Sequence, residues 1–155
     1  MKIIAFDQAS VNSGYSIFED GKYIDSGVIT KSSKIPIIDR VPQMAAEICA
    51  KIKESGVDMV VIEGVQNQSN QKTMADLARL QGGIMMWCSI KKVPLKILAP
   101  TEWRKILEYK MGPKVKREEL KQQSLNYAKK HFGLDNISED RAEAICIGAA
   151  ASTLV

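Results

Sequence analysis

The feature that most constrains this chain is a strand that stops on a charge. Ile3-Ile4-Ala5-Phe6 is a continuous apolar run, and Asp7 stands at its end. Such a run reads as a strand covered on both faces. A carboxylate at its mouth is costly unless it is solvated, paired or bound to a cation. The pattern recurs at Val57-Asp58-Met59-Val60-Val61-Ile62, which runs into Glu63 and then Gly64. Adjacent parallel strands would bring both acids out at one rim of a sheet.

The elements between them follow from periodicity and punctuation. Residues 2–7, 14–19 and 22–30 read as three strands, with Asp20-Gly21 supplying the preferred chemistry of a tight hairpin. Residues 31–36 form a polar loop. From Ile37 to Ser55 the apolar positions recur at three and four, which predicts a helix closed by Gly56. After the 57–63 strand comes a polar loop, Gln66-Asn67-Gln68-Ser69-Asn70-Gln71. A long helix from Lys72 to Lys92 follows, with the stripe Met74, Leu77, Leu80, Ile84, Met85 and Cys88. Its Gly82-Gly83 pair either admits another backbone or weakens the helix centre.

A fifth strand, 93–98, carries Pro94 near its start, a position that suits a sheet edge. A short helix over 102–107, a basic loop over 108–113 and a helix over 115–132 closed by Gly133 come next. Ser138 is the expected N-cap of the last helix, Glu139 to about Leu154. The order βββ-α-β-α-β-α-α-α predicts an α/β fold, a five-stranded mixed sheet flanked by helices, within one domain over 1–155.

Asp140 and Glu143 lie three apart at the start of that last helix, so both point from one face. Taken singly, each acid has an ordinary reading: a polar strand end, or first-turn acids favoured by the helix dipole. Together they form a set of hard oxygen donors without His or Cys, which selects Mg²⁺ or Mn²⁺. Four such charges close together repel unless a cation joins them. Two bound ions about 3.5–4 Å apart suit phosphodiester hydrolysis.

Charge supplies the second half of the argument. Residues 91–130 hold 12 Lys and Arg against 4 acids, whereas the whole chain is only +4. A basic block beside an acidic remainder points to a polyanion. The three cysteines are far apart and His131 is the only histidine, so a zinc site or disulfide framework is not expected and a reducing cytoplasm is. No apolar run approaches the roughly 20 residues of a membrane span, and the N-terminus does not read as a secretory signal.

On Ile3–Asp7 with Ser13-Gly14-Tyr15, Val60–Glu63 with its following helix, the basic Arg104-to-Lys116 region and Glu139-Asp140-Arg141-Ala142-Glu143-Ala144-Ile145, the sequence resembles the RuvC-type Holliday junction resolvases of the ribonuclease H-like fold. The resemblance covers nearly the whole chain. It implies that Asp7, Glu63, Asp140 and Glu143 are the catalytic, metal-holding acids, with two Mg²⁺ for which Mn²⁺ could substitute. It implies that Lys105 and Lys116 hold the scissile phosphate region, and Lys110, Lys114, Arg117 and Lys121 are expected to track the DNA backbone. It further implies a homodimer on four-way DNA junctions, cutting two opposing strands to leave 5′-phosphate and 3′-hydroxyl ends.

Two departures stand out. Glu143 occupies a place where bacterial members usually carry Asp. Gln66 stands where they carry an aromatic that stacks at the junction. Compact members without such features occur in bacteriophages, so a phage-type member is the expectation. A broader flap or debranching endonuclease with the same acids, and a non-catalytic nucleic-acid-binding module, are the alternatives. An actin-like or sugar-kinase-like ATPase would need a second phosphate-gripping loop and about twice the length, so no nucleotide cofactor is expected.

Overall fold

The computed structural model describes residues 1–66 and 70–155. Asn67, Gln68 and Ser69 of the expected polar loop lie outside the described residues. Ten elements follow in chain order: β1 (Lys2–Asp7), β2 (Asn12–Glu19), β3 (Lys22–Thr30), α1 (Ile37–Ser55), β4 (Met59–Glu63), α2 (Gln71–Lys91), β5 (Leu95–Leu98), α3 (Pro100–Ile106), α4 (Arg117–Phe132) and α5 (Glu139–Ser152). Their order is the one expected from the sequence.

The strands form one sheet in the order β3-β2-β1-β4-β5. β1 pairs antiparallel with β2 and parallel with β4. Asp20 and Gly21 both take positive φ, 49° and 78°, which closes the β2–β3 hairpin as a right-twisting two-residue turn. β5 is an edge, as Pro94 suggested, and Pro94 still lends its carbonyl to the Val60 N–H.

Side chains alternate across the sheet and so feed two cores. Ile4, Phe6, Ile17, Val60 and Ile62 face α1 and α2. Ile3, Ala5, Phe18, Val61 and Leu98 face α3, α4 and α5. The long helix differs from expectation at one residue. Met85 is 41% exposed, while Leu80, Ile84 and Cys88 are buried. The reason is angular: Met85 lies 100° around the helix from Ile84 and falls off the stripe. Of the glycine pair, Gly83 faces α1, where an added Cβ would stand 3.3 Å from the Ala45 Cβ, and Gly82 faces open space.

α5 positions the site. Ala142, Ala144, Gly148, Ala149, Ala150 and Ala151 make it a small-residue helix, and all are buried. It can therefore lie directly on β1 and β2. Ser16 donates to the Ala144 carbonyl at 2.6 Å, and a Cβ on Gly148 would meet the Phe18 ring at 2.7 Å. Ser138 caps the helix by accepting the Arg141 N–H, as the sequence indicated.

Candidate active site

β1 and β4 run parallel with Phe6 level with Ile62, so Asp7 and Glu63 leave the sheet side by side. The ladder does not continue past them, and the Gln8 side chain takes its place. Its amide donates to the Glu63 carbonyl at 2.6 Å and accepts the Glu63 N–H at 3.2 Å. Gln8 is itself buried, so this bridge locks the two strand exits together. Ser13 shapes the turn beyond, accepting the Ala9 N–H and donating to the Ala9 carbonyl.

Gly14 sits opposite Asp7 in the β1–β2 ladder. A Cβ there would overlap the Asp140 carbonyl, standing 2.5 Å from its carbon and 3.1 Å from the Arg141 nitrogen. The bare glycine therefore lets the first turn of α5 settle over the end of β1. Asp140 and Glu143 come down beside Asp7 for that reason.

The electrostatics show how close the four acids are. Asp7 is held well above the ordinary carboxyl range, first by burial, then by the charges of Glu143 and Glu63, a hydrogen bond with Glu143, and the charge of Asp140. Burial pushes Glu63 up to about 7; the Trp103 hydrogen bond opposes this, Glu143 adds to it, and the Arg104 charge opposes it. Asp140 is raised by burial, with Lys121 pulling the other way. Among the described residues no three acids, histidines or cysteines are arranged to hold a metal ion. The charges of Glu63, Asp140 and Glu143 all bear on Asp7 at this one rim, and their oxygen-donor chemistry suits Mg²⁺.

The basic residues divide. Lys121 stands at this rim: it pairs with Glu139 at 2.9 Å, and its charge bears on Asp140 and Glu143. Glu139 keeps half its side chain exposed in that pair. Lys105, Lys110, Lys114, Lys116 and Arg117 are exposed and make no ion pair among the described residues. Lys116 precedes the first turn of α4, and Lys110 is fastened to mid-α4 through Gln123, which accepts its N–H and donates to its carbonyl.

Three neighbours of the acids were not among the expected site residues, although Arg104 belongs to the basic region singled out in the sequence. Trp103 donates its indole N–H to the Glu63 Oε1 at 2.9 Å. Arg104 lies 4.8 Å over the Trp103 ring with its charge acting on Glu63, and its Nε is buried without a partner. Lys105, its neighbour in sequence, makes no ion pair with the acids among the described residues. Gln8 is the third. The visible signal for Trp103 and Arg104 was an aromatic-basic pair on the helix following the fifth strand.

A family model described as "Crossover junction endodeoxyribonuclease RuvC" matches residues 3–147. The chain is 24% identical over 150 residues to the RuvC of Syntrophomonas wolfei, covering 94% of this chain and 87% of that relative. It is 26% identical over 106 residues to the RuvC of Dictyoglomus turgidum, covering 66% of this chain and 67% of that relative. Among solved structures, T. thermophilus RuvC in complex with Holliday junction substrate superposes with a TM-score of 0.76 at 15% identity, over 99% of this chain and 94% of that one. The Fowlpox virus resolvase, solved with Holliday junction DNA, gives 0.70 at 15%, over 99% and 98%. The mixed five-stranded sheet is therefore the ribonuclease H-like fold of these proteins. No helix among the described residues is long and apolar enough to cross a membrane.

Proposed function

This chain belongs to the RuvC family of crossover junction endodeoxyribonucleases, and we propose that it resolves four-way DNA junctions by paired phosphodiester hydrolysis at the Asp7, Glu63, Asp140 and Glu143 rim, with residues 1–155 acting as one nuclease unit. One observation carries the assignment of the site. Two strand-end acids from adjacent parallel strands and two acids from the first turns of α5 are close enough to perturb one another.

The four acids fit a divalent metal by donor type, and a cation among them would relieve the mutual repulsion that raises Asp7. Asp7, Glu63, Asp140 and Glu143 would hold it. Mg²⁺ held there would supply positive charge to the phosphate oxygens and ease deprotonation of an attacking water. Arg104 stands beside Glu63 to neutralise charge developing on the scissile phosphate. Lys121, whose charge bears on Asp140 and Glu143, adds positive charge for the DNA backbone at the same rim. Lys105, Lys110, Lys114, Lys116 and Arg117 form an exposed cationic strip for the backbone of a DNA arm. The products are a 5′-phosphate and a 3′-hydroxyl.

Two opposed cuts need two sites, and a two-fold dimer supplies them by symmetry. The surface that suits a second copy lies between α1 and α2. There a cleft of about 920 Å³ includes Ile38, Val41, Pro42, Met86 and Trp87. Ile38 is 77% and Met86 63% exposed, and Ile90 farther along α2 is 66%. Apolar side chains left this open in a cluster mark an interaction surface. Met86→Glu shifting the protein from dimer to monomer in sedimentation is the expected result.

Gln66 favours a second reading. It is exposed and, with Gln8, Glu63, Leu77 and Pro100, borders a small pocket, at the position where the resemblance implies a stacking aromatic. A polar side chain there would tolerate flaps as well as junctions. The deciding experiment compares a mobile four-way junction, a Y-shaped flap and linear duplex with Mg²⁺, using Asp7→Asn as control. Symmetric nicks confined to the junction support a resolvase. Equal cutting of flap and junction supports the debranching nuclease. Cutting by Asp7→Asn would refute the site.

A further inference from the structure

We propose that Trp103 is the positioning residue of the active site, holding one oxygen of Glu63 so that the other remains as the free metal ligand. The proposal rests on the reading of Glu63 as a metal-holding acid and adds what orients it. Glu63 ends an inner strand, but nothing in a strand fixes a long, three-torsion side chain at its tip. The indole N–H does so at 2.9 Å, and among the described residues no other side chain donates to that carboxylate.

Trp103 cannot swing away. It is fully buried in the core beneath α5, edge-on to Tyr109 at a ring distance of 5.3 Å. Tyr109 is itself fixed by buried hydrogen bonds to Ser124 at 2.7 Å and Cys146 at 3.2 Å, which tie it to α4 and α5. The other face of the argument is Arg104, whose guanidinium lies 4.8 Å over the Trp103 ring. One indole therefore sets the strand-end acid and seats the cation beside it. A buried indole N–H needs some acceptor, and a backbone carbonyl would meet that need. Here the acceptor is a side chain of the site, so the core of the α3–α5 side is wired to the rim. A carboxylate with one oxygen already bonded has fewer rotamers to lose when a metal arrives, which is preorganisation in its ordinary thermodynamic sense.

The test uses Trp87→Phe protein, in which Trp103 is the only indole. Mn²⁺ is titrated while Trp103 emission is followed, and its affinity is measured independently by calorimetry. Trp103 is then replaced by benzothienylalanine, which keeps the fused-ring outline and puts sulfur in place of the N–H. Saturable movement of the emission, with the calorimetric midpoint, is expected. The isostere is expected to bind Mn²⁺ about tenfold more weakly, the loss of one hydrogen bond to a charged group, with an unchanged circular dichroism spectrum. Unchanged Mn²⁺ affinity in the isostere, or emission unmoved at saturation, overturns the positioning role. Glu63→Gln separates the two readings: if that change leaves Mn²⁺ affinity untouched, it is the assignment of Glu63 that falls.

Discussion

Gly14→Ala is the most informative single substitution. The added Cβ overlaps the Asp140 carbonyl and lies 2.5 Å from its carbon and 3.1 Å from the Arg141 nitrogen. All three are backbone atoms of a capped helix, so no side chain can rotate to make room. Either β2 or the N-terminus of α5 must move, on the order of 1 Å, and a catalytic group displaced by that much costs roughly 10²-fold in rate. Overpacking of this kind destabilises by about 1–3 kcal/mol, or roughly 3–10 °C in Tm for a chain of this size. The basic strip lies on α3, the following loop and α4, so junction binding is expected to stay within a few-fold. Single-turnover cleavage with Mg²⁺, junction binding with Ca²⁺ and thermal unfolding together form the assay. Gly82→Ala is the matched control, because its Cβ meets nothing within 4 Å and the helix gains up to about 1 kcal/mol. A Gly14→Ala protein that cuts and unfolds like the wild type would refute the claim that this contact seats Asp140 and Glu143.

Four further outcomes are expected. In EDTA, stability should fall as pH rises from about 4.5 to 7, because folded Glu63 keeps until about 7 a proton that the unfolded chain has already lost; that gap is worth at most about 3 kcal/mol, urea titrations at pH 5 and 7.5 read it, and Mg²⁺ should restore stability at the higher pH. Asp7→Asn, which removes a carboxyl held well above its ordinary range by burial and the neighbouring acids, should abolish cutting yet raise the Tm of the metal-free protein. Arg104→Gln should lower the cleavage rate more than Lys105→Gln does, since only the former has its charge at Glu63; equal losses would count against the proposed placement. Lys114→Ala and Arg117→Ala should each weaken junction binding and reduce the log-log salt slope by about 1.

Much of the fold was legible because its signals are local. Apolar runs that end in a charge, an Asp-Gly turn, a Ser N-cap and glycines at φ near 60° each act within a few residues. Positions 37–55 were read to the residue, since periodicity and Gly56 agree. Boundaries slipped where no local signal exists: α4 begins at Arg117 rather than Val115, after an irregular stretch that only its packing defines. Met85 was misplaced because a stripe read at three and four tolerates one residue of angular error, whereas a packed helix does not.

The candidate acids were visible for the same reason. Each stands at the end of an element whose type its neighbours dictate. What sequence alone determined was therefore the list of elements, the kind of chemistry and the four carboxylates. Tertiary structure decided which groups meet. Gly14 against the Asp140 carbonyl, Gln8 across two strand exits, and Trp103 on Glu63 are contacts between residues 126, 55 and 40 positions apart. No local propensity encodes such pairs. They exist because close packing of a small-residue helix on a sheet leaves each polar group one partner within reach, and that partner is set by the whole fold.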